Sequence, residues 1–326
     1  MVKLDAYDKK ILEILLNNSR EQISTIGKKV RLRRENVNYK INRLIKEGLI
    51  KEFNTILNEE KLGLAHYVVF LELSNLKKDS EQKILEYLKE SHFTSWTGIS
   101  ASKWSLIFDI FIPKDIELNK VLNDFLIKFG AFIENYVLLN LHEGEYFGYK
   151  LLGIAGKPNS SHGRLQEFNL DKTDFSILSL LNKNSRMTLV EISEKVGLTP
   201  NGVNNRIKIL EKKGVIMGYT VSLDWKKIDY EWYGLQLKLS EFGEETDKKL
   251  KAYFNEHPNI VFYYKYLGGA WDYDLGVIVK NSEELRKFIN DFRNKFSDIA
   301  KISDVFITLE EVTGYKLPKG VFEKSK

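Results

Sequence analysis

Displaced by 166 positions, the chain meets itself. Leu4 falls on Leu170, Asp5 on Asp171, Asp8 on Asp174, Ile11 and Leu12 on Ile177 and Leu178, and Asn18, Ser19 and Arg20 on Asn184, Ser185 and Arg186. Ile26, Val30, Leu32, Val37, Asn38, Ile41, Leu44, Gly48, Ile50 and Leu57 recur at the same offset without a gap. Near the end of each half the offset becomes 169, with Ile133 on Ile302 and Tyr146 on Tyr315, so the second copy carries a small insertion. Whatever fold one copy adopts, the other must share. The joint falls at GKPNSSHGRLQEFN, whose Gly, Pro, Ser and Asn content reads as an exposed linker.

Each copy divides again. Residues 4 to 50 read as three short helices, and the second copy carries the clearer signals. Asp171 caps a first helix, Thr188 with Glu191 forms a capping box, Thr199 with Pro200 caps and opens a third helix, and Gly214 ends it. VIMGYTVSL then alternates like a strand, which completes a winged helix-turn-helix. Beyond it the period changes. WYGLQLKLS, EETDKKLKAYFNEH, NIVFYYKYLG, WDYDLGVIV, SEELRKFINDFRNKF and ISDVFITLEEV run strand, helix, strand, strand, helix, strand, the order of a ferredoxin-like sandwich. The first copy follows suit from AHYVVFLEL to FIENYVLLNL.

The expected fold is therefore α+β, with two winged helix-turn-helix domains alternating with two ferredoxin-like βαββαβ domains. Its expected segments are 1–58, 62–150, a linker at 151–169, 170–224 and 228–318. Helices would cover one face of each sheet, and the other face, with Tyr67, Phe70, Trp232 and Leu235 assigned to it, needs a partner. Tyr264 and Tyr266 share a face that fits such an interface.

Composition narrows the chemistry. The 326 residues contain no cysteine, which removes disulfides, thiolate zinc sites and cysteine nucleophiles. Five histidines lack metal-ligand spacing and read as surface or turn positions, so neither metal nor cofactor is expected. No apolar run reaches the length of a membrane span and MVKLDAYDKK lacks a signal-peptide core, which makes a cytoplasmic protein with no membrane partner the expectation. A net charge of +5 permits a polyanionic partner without arguing for one. The abundance of Lys, Glu and Ile is the usage of heat-loving, archaeal-like proteins.

At this point the motifs carry a resemblance. LDAYDKKILEILLNNSR and LDKTDFSILSLLNKNSR, VNYKINRLIKEGLI and VNNRIKILEKKGVI, and the single GAWDY are similar to the motifs of the Lrp/AsnC, or feast/famine, transcription regulators, each half resembling one complete member. The resemblance implies a DNA-binding domain followed by a dimerisation and ligand-sensing (RAM-type) domain, and sandwiches that pair sheet to sheet.

The residues support the DNA half independently. From Arg31 to Lys46 stand Arg31, Arg33, Arg34, Lys40, Arg43 and Lys46 against Glu35 alone. In a helix-turn-helix the start of the second helix of the motif faces base edges, which selects Arg33, Arg34, Asn36, Asn38 and Tyr39, with Lys40 and Arg43 toward phosphate. Thr199, Asn201, Asn204, Asn205, Arg206 and Lys208 take those places in the second copy. The bland alternative for such charges is a solvated helix face. Arg33 and Arg34 replace the capping Thr199 and Pro200, a trade worth ~1 kcal/mol of capping.

For ligand sensing, the resemblance implies that Gly268, Gly269, Asp272 and Asp274 hold an amino acid or other small effector. Ser100 and Lys103 replace the Gly and Asp of the motif in the first copy, so only the second copy keeps the site. GGAWDY is equally what a tight turn requires. The partners expected are double-stranded DNA, a small effector, and a second sandwich, supplied within the chain as a pseudo-dimer or between chains in a higher homo-oligomer. Two other functions fit the fold: an enzyme like the sirohaem decarboxylases, which work with His and Arg near a central hairpin that here carries neither, or an effector-binding or assembly protein that ignores DNA.

Overall fold

The computed structural model describes every residue except Leu76, Asp115, Tyr149, 153–158, 161–168 and 324–326, so most of the expected linker, with His162, lies outside the described residues. Helix α1 (Ala6–Asn17) starts at Asp5, where Asp5 and Asp8 each accept from the other's backbone N–H. Helices α2 (Ile23–Val30) and α3 (Arg34–Lys46) complete the trihelical head. Its apolar residues recur at helical spacing, so Ile11, Leu12, Leu15, Ile26, Val37 and Leu44 all reach zero exposure in one cluster. Strand β1 (Ile50–Leu57) is its wing.

Then follow β2 (Leu64–Leu73), α4 (Lys78–Glu90), β3 (Thr94–Ser100), β4 (Leu106–Pro113), α5 (Leu118–Phe129), β5 (Ile133–Tyr146) and a two-residue strand β6 (Asn159–Ser160). The second half repeats the order with α6 (Lys172–Lys183), α7 (Leu189–Val196), α8 (Pro200–Lys212), β7 (Ile216–Leu223), β8 (Glu231–Leu239), α9 (Glu244–Glu256), β9 (Ile260–Tyr266), β10 (Tyr273–Val279), α10 (Ser282–Phe296) and β11 (Ala300–Thr313).

Each half builds an antiparallel four-stranded sheet, β5-β2-β4-β3 and β11-β8-β10-β9, the order that a ferredoxin-like βαββαβ unit produces. The halves are joined by their last strands. β5 pairs with β2 as far as Asn140 and with β9 from Leu141, while β11 pairs with β8 as far as Ile307 and with β3 from Thr308. At 14 residues each, β5 and β11 are long enough to leave one sheet and finish in the other. Eight strands thus close into a ring whose neighbouring sheet edges are all paired.

Strand alternation divides the side chains. Val69, Leu71, Phe108 and Ile110 pack beneath α4 and α5, and Leu235, Leu237, Tyr273 and Leu275 beneath α9 and α10. Val68, Phe70, Ile107, Trp104, Trp271, Tyr266 and Phe306 meet inside the ring, with Tyr264 packed against them. Tyr67 and Leu235, expected on the paired face, lie under the helices instead, because each is an odd number of residues from its inward neighbour, Phe70 or Trp232. Gly276 and Gly234 sit where rings cross the interior: a Cβ there would lie 2.0 Å from Phe262 and Phe306, respectively.

The wings also exchange. β1 and β7 form an antiparallel ladder, and Val221, Leu223 and Trp225 from the second half bury in the first head's core. Leu57, Leu64 and Phe111 from the first half bury in the second head's core. Among the described residues no helix is long and apolar enough to cross a membrane.

Candidate nucleic-acid interface

Helix α3 presents two kinds of polar side chain. Arg31, Arg33, Arg34, Asn36, Asn38 and Tyr39 are exposed, Tyr39 at 69% although it is a large aromatic. Lys40 and Arg43 turn the other way. Lys40 Nζ reaches Asp5 Oδ2 at 2.6 Å and Asp8 Oδ1 at 3.1 Å, and Arg43 Nη2 reaches the fully buried Asp8 at 2.7 Å. The hydrogen bond from Lys40 draws the Asp5 carboxyl down to about 2. In α8, Arg206 Nη1 repeats the arrangement with Asp171 at 2.7 Å and Asp174 at 2.8 Å. Sequence reasoning assigned Lys40, Arg43 and Arg206 to DNA; in the structure they hold the third helix of each head to the start of the first. The signal lay in the repeat, since acid and base stand 35 and 32 residues apart in both copies.

The exposed set of α8 is Asn201, Asn205 and Lys208, with Asn204 half-buried. Thr199 caps the helix by accepting from Gly202 N at 3.1 Å. At the equivalent point α3 starts from Arg33 with no side-chain cap. The turn into the third helix differs too. Gly197 ends α7 in the left-handed region at φ 67°, and in the first copy Arg31 is held there at φ 59°.

The two heads meet where the repeated Asn-Ser-Arg runs follow α1 and α6. Ser19 and Ser185 share a buried hydrogen bond of 2.6 Å between their hydroxyls. Arg20 donates to the carbonyls of Ser185 and Met187, and Arg186 returns bonds to the carbonyls of Ser19 and Glu21. Each half therefore offers the other the same contact, the isologous arrangement of a twofold dimer inside one chain.

The glycine hairpin lies between β9 and β10. Gly268 and Gly269 take φ 72° and 98°, which side-chain-bearing residues resist. Asp272 is buried and accepts from Leu239 N at 2.8 Å, with Lys238 Nζ at 3.3 Å, so it secures the strand end. Asp274 points into the ring, where Gln236 Nε2 donates to it at 3.0 Å. Of the residues grouped as an effector site, Asp272 is engaged by backbone and Asp274 lies in the interior.

His66, expected at a surface or turn, is buried between Glu59 at 3.3 Å and Asp109 at 3.5 Å. Burial opposes its charged form, but the carboxylates prevail and push it up to about 9. Beside it a cavity of about 250 Å³ opens between the wing ladder and the end of the strand ring. Among the described residues no group of three or more His, Asp or Glu is arranged to hold a metal ion.

A family model described as winged helix-turn-helix DNA-binding matches residues 4–51 and 170–217, one match on each head. Two curated relatives align with about half of this chain and most of their own. The HTH-type transcriptional regulator LrpC of Bacillus subtilis is 34% identical over 137 residues, 40% of this chain and 87% of that protein. The HTH-type transcriptional regulator Ptr1 of Methanocaldococcus jannaschii is 34% identical over 155 residues, 46% of this chain and 99% of that protein. A crystal structure of the siroheme decarboxylase NirDL with an iron-uroporphyrin III analogue covers 98% of this chain, and is itself covered to 95%, at a TM-score of 0.66 and 12% identity. At that identity the likeness is one of fold. The two heads, each continuing into a ferredoxin-like unit, define a duplicated helix-turn-helix protein. The chain belongs to the Lrp/AsnC family, with a tandem copy of the unit that a whole relative contains.

Proposed function

We propose that this protein is a sequence-specific DNA-binding transcriptional regulator whose single chain carries two reading heads. The observation that carries this reading is the exposed edge of α3, where Arg33, Arg34, Asn36, Asn38 and Tyr39 are left free of the packing that engages Lys40 and Arg43. Arg pairs bidentately with guanine and Asn with adenine, so these residue types suit major-groove readout. Asn201, Asn205 and Lys208 provide a less cationic edge on α8, which suits a second, different half-site. The names of the relatives support the same role.

The enzyme reading has less support. The NirDL structure holds an iron-uroporphyrin III analogue, a porphyrin bearing carboxylates, whereas among the described residues the cavity here is lined by six carboxylates and two lysines and by no arginine. Like charges would oppose such a substrate.

Titrating the protein with its own upstream DNA and with random duplex across a salt series tests the proposal. The upstream site is expected to bind about 1000-fold more tightly or better. Replacing Arg33 and Arg34 by Ala should weaken binding and flatten the log–log salt slope by roughly 2, at about 0.9 for each phosphate no longer neutralised. An unchanged slope and affinity would leave a fold retained for assembly or ligand binding.

A further inference from the structure

The cavity between wings and ring joins three features that no helix-turn-helix needs. Its wall is aromatic: Trp96 and Trp232 lie 5.9 Å apart between ring centroids, Trp232 and Phe262 5.8 Å, and Phe262 and Tyr264 4.8 Å, and all four line the space. Its floor is acidic, with Asp109 and Asp274 both more than nine-tenths buried. Two residues that line it carry hydrogen-bonding atoms that find no partner among the described residues: Thr308 Oγ1 and Asn54 Oδ1, both nearly inaccessible. A buried polar atom left unbonded costs ~1–3 kcal/mol, so two such atoms beside a cavity are groups that a bound molecule or an ordered water would complete.

The charges point to one buried carboxylate. Lys51 pairs with Glu311 at 2.5 Å, Lys316 with Glu52 at 2.8 Å, and His66 is flanked by Glu59 and Asp109. Among the described residues Asp274 has no cationic partner; its bond is from the neutral amide of Gln236. Burial and the nearby Asp109 push its carboxyl up to about 7, the response of an acid that lacks a counter-charge. Packed aromatic faces attract cations, most strongly when both are shielded from water.

We propose that this cavity is a binding site for a small organic cation, a primary amine on an aromatic or apolar body, with Asp274 receiving the ammonium, Thr308 and Asn54 completing its hydrogen bonds, and the Trp96–Trp232 wall covering the body. The site lies between the wing ladder and the end of the ring, apart from the glycine turn. Because β1 and β7 form its roof through Asn54 and Thr220, occupancy would brace the ladder that links the heads. The inference does not depend on DNA binding.

Three isosteric probes test it on the full chain at about pH 8, where Asp274 is charged: 2-phenylethylamine, 2-phenylethanol and 3-phenylpropionate. Calorimetry and thermal unfolding read binding, and quenching of tryptophan emission reports the wall. The amine is expected to bind saturably and raise Tm, at least about tenfold tighter than the alcohol and with no detectable binding of the carboxylate. Asp274→Asn should remove that preference for the amine. Trp232→Leu should weaken the amine and the alcohol while keeping their order, which preserves a readout if either variant alone proves unstable. Equal binding of amine and alcohol, binding of the carboxylate, no binding of the amine, or full affinity in Asp274→Asn would each overturn the assignment.

Discussion

At the scale of single residues, the repeat itself separates structure from function. Where both copies keep an acid and a base at the same separation, as at Asp8 with Lys40 and Asp174 with Arg206, the pair holds the head together. Where the copies diverge, as from Thr199 to Arg33, a capping bond is given up for an exposed cation. Sequence alone shows the cations of α3 but not which of them are engaged, because Lys40 and Arg43 meet Asp5 and Asp8 only once α3 packs across the start of α1. His66 was illegible for a similar reason: only the fold brings Glu59, from the turn after β1, and Asp109, from β4, to opposite sides of its ring. Its raised pKa has a measurable consequence. The stabilisation it supplies is complete below about pH 6.5, where the unfolded ring is also protonated, and is lost as pH rises through about 9. Chemical denaturation from pH 6.5 to 9 should show stability falling, by on the order of 2–3 kcal/mol from this residue. The slope between about pH 7 and 9 should flatten in His66→Gln. A parent profile that is level across that range would remove the charged-ring assignment.

At the scale of elements, helices and strands were legible because their periods differ and the caps stand at fixed offsets; α10 spans the same SEELRKFINDFRNKF that the pattern marks. What period cannot show is where a strand goes once it leaves its own sheet. β5 and β11 begin within their own sheets, and their pairing with β9 and β3 depends on a partner 116 or more residues away in the chain. The turn between α2 and α3 invites an element-level test. Arg31 is held left-handed where the second copy uses Gly197, a conformation that costs a side-chain-bearing residue ~1–2 kcal/mol. Arg31→Gly should therefore stabilise the chain by about 1 kcal/mol in urea titration, with part of the gain offset by the greater freedom of glycine when unfolded. If Arg31 also serves DNA, the same variant should bind operator DNA more weakly while being more stable. Loss of stability would mean that Arg31 makes contacts worth more than the strain.

At the scale of the whole molecule, fusion changes what kind of equilibrium controls function. Two heads supplied by separate chains engage DNA together only while the dimer persists, so dilution below the dimer's dissociation constant separates them. Here the crossing strands β5 and β11, the β1–β7 ladder and the reciprocal Arg20 and Arg186 bonds lie within one chain, and the second head is always present at the effective concentration set by the fold. The pairing of the sandwiches, left open between intrachain and interchain arrangements by the sequence, becomes a physical property with a test. Light scattering across a wide dilution range should give the 38.0 kDa mass of one chain as the smallest species. Affinity for a two-half-site operator should not depend on the protein concentration at which the stock was equilibrated. Replacing Arg20 and Arg186 together by Ala should lower affinity for the two-half-site operator more than for an isolated half-site, because it loosens the angle between heads and leaves the exposed edges of α3 and α8 intact. Equal losses on both DNAs would show that the arginines support each head separately and that the strands alone fix the geometry of the pair.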